Sequence, residues 1–140
     1  MDVLRYRLAD GRYAPRNAVN RHHTIFEKRW YRTHQEQVFR NLSGLVLPLH
    51  IQAHEELHAQ VAPPPKPSRP FMEQIAEFAH DVYEQDDYEA FYRIAHFIGD
   101  VANSSWSPER ADEAFRIHEN FMQQSQFIEA GRVEPVHVAV

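Results

Sequence analysis

Apolar residues recur at helical spacing through the second half of the chain. Phe71, Ile75, Phe78, Ala79 and Val82 predict a helix that opens at Pro70-Phe71-Met72-Glu73. Asp86 followed by Glu89 resembles a capping box, and Phe91, Ile94, Ala95, Ile98 and Val101 form the apolar face of a second helix behind it. Ser107-Pro108 reads as an N-cap with proline at the first helical position. A third helix then runs through Phe115, Ile117 or His118, Phe121 and Met122, and stops near Gly131. Phe71, Phe78, Phe91, Tyr92, Phe97, Phe115 and Phe121 are expected in the core of this bundle or on a dimer face. Trp106 is expected as a packing anchor in the last turn between helices, and Pro135 leaves the tail loose or an edge strand.

The first half is less regular. Leu45-Val46-Leu47-Pro48-Leu49 is a strand candidate that Pro48 restricts to an edge or an end. Ile51–Val61 reads as a helix with Ala53, Leu57 and Val61 on one face and His50, His54 and His58 on a neighbouring one. Thr24-Ile25-Phe26 is a short apolar run, and residues 27–40 are helical or irregular, with Trp30, Tyr31 and Phe39 supplying apolar weight. Between residues 63 and 70, five prolines remove amide donors and favour a stiff extended connector. The expected organisation is a basic His-rich unit at 1–62, a linker at 63–70, an acidic helical unit at 71–131 and a tail at 132–140.

Composition narrows the chemistry. With 43% hydrophobic residues in 140, the chain has enough apolar material for a packed core. Cysteine is absent, which excludes disulfides, thiol nucleophiles and Cys-ligated zinc. No apolar run is long enough to span a bilayer. The segment Met1–Tyr13 does not read as a signal peptide, so a cytoplasmic location without membrane contact is expected. The net charge of −5 conceals an asymmetry. Residues 1–50 hold nine Lys/Arg against four Asp/Glu, whereas residues 70–140 hold four Arg against fourteen Asp/Glu. A basic half suits a polyanion. The acidic half suits a basic protein partner, a homodimer contact, or imitation of DNA charge.

Six of the ten histidines lie between residues 22 and 58. Neutral imidazole is a good ligand for first-row divalent metals. His54 and His58, four apart on a helix, point the same way, and His22 is the obvious third ligand from elsewhere. His23 beside it has the near-neutral acidity of a general base. In Lys28-Arg29-Trp30-Tyr31-Arg32 basic and aromatic side chains interleave, as they do where phosphates are contacted and bases stacked; the alternative is that Trp30 and Tyr31 are core residues.

Asn20-Arg21-His22-His23-Thr24-Ile25-Phe26, then Asn41, then His54-Glu55-Glu56-Leu57-His58 resembles the HNH, or ββα-metal, endonuclease superfamily over residues 20–60. The resemblance implies metal-dependent hydrolysis of DNA or RNA phosphodiester bonds, in a protein of phage or mobile-element type. It implies His23 as general base, Asn41 holding the loop that orients it, and His22 as a ligand to zinc, magnesium, manganese or nickel. The remaining ligands would be His54 with His58, or His50 with His54. Arg21, Lys28, Arg29, Arg32 and Arg40 would contact nucleic acid. The family's flanking Cys pairs are missing. The fold expected is mainly α within an α+β class: a minimal ββα-metal-like N-terminal unit plus a C-terminal three-helix unit. The alternative function is a non-catalytic interaction protein on a degenerate scaffold of this kind, working through its acidic helices.

Overall fold

The computed structural model describes residues 2–83, 87–104 and 107–139. Asp86 and Trp106, named above as a cap and an anchor, lie outside the described residues. The fold is α+β and mainly helical. Its strands are β1 (Asp2–Leu8), β2 (Tyr13–Ala14), β3 (Val19–His23), β4 (Val46–His50) and β5 (Val133–Ala139). Its helices are α1 (His34–Phe39), α2 (Ile51–Gln60), α3 (Arg69–Asp81), α4 (Asp87–Ser104) and α5 (Pro108–Gly131). In the first half α1 separates β3 from β4, α2 follows β4 directly, and three long helices follow the proline-rich segment. Among the described residues, no helix is long and apolar enough to cross a membrane.

The chain forms two compact units that do not follow chain order. One contains residues 1–22, 48–62 and 123–140; the other contains 23–47 and 63–122. β3 and β4 pair as a two-stranded sheet, and the chain passes between the units within them.

The first unit is built on a three-stranded sheet in the order β2-β1-β5. β1 runs antiparallel to β5 from Asp2 opposite Ala139 to Leu8 opposite Val133. The tail is therefore an edge strand. A hairpin joins β1 to β2 through Asp10-Gly11, where Gly11 adopts φ +88° and the Asp10 carboxylate accepts from the Arg12 amide at 3.0 Å and Nε at 2.7 Å. Asp-Gly favours such tight turns because glycine enters positive φ without steric cost. α2 buries Ala53 and Leu57, and Gly131 at the end of α5 lies directly over Ala53.

The second unit packs α3, α4 and the first part of α5 around Phe71, Ile75, Phe91, Ile94, Ile98, Ile117 and Phe121, all buried. The rings of Phe91 and Phe121 lie 4.8 Å apart. Of the aromatics expected in this core or on a dimer face, Tyr92 and Phe115 are exposed, each facing outward from its helix. Gly44, at φ +83°, is pressed against α4, and a β-carbon there would stand 2.7 Å from Ile94 Cδ1 and 2.8 Å from the Phe91 amide nitrogen. Thr33 and Glu36 form a capping box at the start of α1, and Arg69 at the start of α3 pairs with Glu36 at 2.6 Å. The proline-rich segment ends at Ser68, whose amide and hydroxyl both donate to the Glu113 carboxylate of α5.

Candidate metal centre

The site is assembled in the first unit from β3 and α2. Side chains alternate along a strand, so Asn20 and His22 share one face of β3 while Arg21 and His23 take the other. His22 is buried, with 3% of its surface exposed. On α2, the step from His54 to His58 is one helical turn, which places both imidazoles on one face. This face meets the Asn20–His22 face of β3. The ring of His22 lies 5.0 Å from that of His54 and 5.6 Å from that of His58, and the α2 pair are 4.4 Å apart. One ring nitrogen from each of the three falls within 4.8 Å of the others, close enough to hold a single metal ion. Burial is graded from His22, enclosed, through His54, half-buried, to His58, exposed, so the centre opens to solvent along α2.

Hydrogen bonds orient the rings. His22 Nε2 lies 2.8 Å from Gln124 Oε1, in a buried contact between β3 and α5. An amide oxygen only accepts, so in this contact Nε2 is the donor. His54 Nδ1 lies 3.2 Å from the Asn20 side-chain nitrogen, and His54 Nε2 lies 2.8 Å from His58 Nε2. With the Asn20 amide donating, the His54 proton resides on Nε2 and is shared with His58. A metal ion held by the pair would lie between these two nitrogens in place of that proton. Zinc–nitrogen bonds of about 2.0–2.1 Å at tetrahedral angles hold nitrogens about 3.3–3.4 Å apart, so the pair must open by roughly half an ångström. His54 must also move its proton to Nδ1, and the Asn20 amide must turn to present its oxygen. These are side-chain adjustments, and the donor set fits a divalent ion.

The structure separates the two ligand registers. His50 ends β4 and caps α2, its Nδ1 accepting from the Gln52 amide at 3.3 Å, while the three-histidine group consists of His22, His54 and His58. His23 and Asn41 belong to the second unit. His23 is the last residue of β3, half-buried, immediately before the bend at Thr24. Asn41 follows α1, and its side-chain amide donates to the Gln37 carbonyl at 3.2 Å, tying off that helix.

The basic residues fall in different settings. Arg21, Lys28, Arg29 and Arg32 are exposed, and Arg29 is paired with Glu27 at 2.6 Å. Arg40 is half-buried and donates to Gln37 Oε1 at 2.7 Å. Tyr31 is a core residue packed edge-on against Phe26 at 6.0 Å, and burial raises its hydroxyl pKa above the usual tyrosine range. It is no platform for a stacked base.

Sequence reasoning missed Asn20 and Gln124. Gln124 did leave a signal. Ile117, Phe121, Gln124 and Ile128 fall on one stripe of α5 and all are buried, so a polar amide occupies a core-facing position. Asn20 is marked only by its two-residue spacing from His22.

Comparison with protein-family models, curated proteins and solved structures gives no match to this chain.

Proposed function

We propose that this chain is an HNH-like, metal-dependent nuclease that hydrolyses phosphodiester bonds, with His22, His54 and His58 as its metal ligands. The observation that carries the reading is the convergence of these three imidazoles from two elements, one end buried and the other open. Three neutral nitrogen ligands leave the full charge on a divalent ion, which favours an anionic substrate. They also favour zinc or nickel over magnesium, which prefers oxygen ligands and keeps much of its water.

A bound divalent ion would polarise a phosphate oxygen and assist the leaving oxygen. His22, buried and hydrogen-bonded, anchors the ligand set; His54 and His58 hold its solvent side. His23, which follows His22 at the end of β3, is the general base that the resemblance assigns, and Asn41 the residue that it assigns to steadying the loop. Arg21, Lys28, Arg29 and Arg32 are the proposed contacts to substrate phosphates, DNA or RNA.

The test is cleavage of supercoiled DNA and of single-stranded RNA by the purified protein with zinc, nickel, manganese or magnesium. His23→Ala should abolish cleavage while the metal still binds. Cleavage that persists in rigorously purified His23→Ala protein removes His23 as base. Metal binding without cleavage of either substrate by the wild type would make the centre structural.

A further inference from the structure

Gln124 makes the best-buried polar contact of the metal centre, and no part of the hydrolytic reading above assigns it a role. It projects from α5 onto His22, is 2% exposed, and is 102 residues away in sequence. We propose that Gln124 is a positioning residue that fixes His22 as an Nδ1 ligand, giving a centre of mixed ligation in which His22 binds through Nδ1 and His54 and His58 through Nε2. The inference rests on the metal-binding reading for its consequence, but its core, the tautomer of His22, is a property of the metal-free protein.

A free neutral imidazole divides its proton between the two nitrogens, and only the unprotonated one ligates. The Gln124 oxygen at 2.8 Å holds the proton on Nε2. Burial strengthens the preference, since water does not replace a hydrogen bond lost between two buried groups. His22 is thereby set for metal before any ion arrives. The α2 pair is not: His54 must exchange its tautomer, and its partner Asn20 must turn, before both Nε2 atoms face an ion. The buried end of the centre is preorganised and the exposed end adjusts. A partner that holds the second nitrogen of a ligating histidine typically contributes roughly 10–100-fold to metal affinity.

The experiment uses the full chain with histidines labelled in nitrogen-15. Two-bond proton–nitrogen spectra read the tautomer of each ring, and cobalt(II) absorption reads metal affinity. In the metal-free wild type, His22 should carry its proton on Nε2. Gln124→Leu should give a mixed tautomer and roughly 10–100-fold weaker cobalt binding. Gln124→Glu, which keeps the acceptor, should bind at least as tightly as wild type at pH 8. A wild-type His22 protonated on Nδ1, or Gln124→Leu binding cobalt within twofold of wild type, overturns the proposal. The wild-type spectrum needs no variant, so a variant that fails to fold does not protect the idea. If wild type binds neither cobalt nor zinc, the metal reading fails, and the tautomer alone decides whether Gln124 orients His22.

Discussion

Replacing Gly131 by alanine tests how tightly α2 is held. A β-carbon at position 131 would stand 2.4 Å from Ala53 Cβ, with the His50 amide and Leu49 Cβ each at 3.7 Å. Saturated carbons in contact sit about 3.5–4.0 Å apart, so α2 and the end of α5 would separate by more than about 1 Å. Ala53 Cβ is fixed to the backbone and cannot rotate away. Overpacking of this kind costs about 1–3 kcal/mol, while alanine regains up to about 1 kcal/mol of helix propensity, less at a helix end. The net expectation is a loss of about 1–2 kcal/mol, or a fall in Tm of roughly 3–6 °C. Because α2 carries His54 and His58, metal affinity should fall as well. Urea and thermal unfolding of Gly131→Ala, Ala53→Gly and the double variant form the assay. Ala53→Gly alone should destabilise, yet partly rescue Gly131→Ala, since the pair merely moves one methyl across the contact. Gly131→Ala at wild-type stability, or strictly additive effects, would refute the close approach.

Other expectations are accessible by the same methods. Gly44→Ala should be more damaging, by more than about 2 kcal/mol, because it combines a positive φ with a β-carbon pressed onto α4 backbone; a Tm within 2 °C of wild type would contradict this. Glu36 accepts the amides of Arg32 and Thr33, which, with the nearby Arg69, hold its pKa below the usual carboxylate value. A lowered folded-state pKa contributes stability above the unfolded value that is lost as pH falls through the folded one. Glu36→Gln should therefore be less stable than wild type at pH 7, with the gap closing as pH falls below about 4.5; a gap constant down to pH 3 counts against it.

The legible parts of the fold are those with local causes. α3 and α5 follow from an apolar period of about 3.6 residues, with Pro70 and Ser107-Pro108 at their starts, and β4 carries Pro48 within a two-stranded sheet, where each strand is an edge. His50 closes β4 and caps α2 rather than lying within it, and it stands outside the three-histidine group, a register that the sequence left open. The β1–β5 pair was not legible. Leu4, Tyr6 and Leu8 do alternate with exposed residues, and Asp10-Gly11 marks the turn, but the main partner strand lies at the opposite end of the chain. The contacts of Gln124 with His22 and of Asn20 with His54 span 102 and 34 residues, and tertiary packing alone brings them together.

The central claim is that His22, His54 and His58 hold one divalent ion. Its most direct test is metal content and thermal shift of wild type beside His54→Ala/His58→Ala, after exchange into zinc, nickel, manganese or magnesium. The account predicts one zinc or nickel per chain, lost in the double variant. At an ion concentration about 100 times Kd, wild type should gain about 2.7 kcal/mol of stability and a Tm several degrees higher. A wild-type protein that retains no ion and shows no shift with any of the four would contradict it.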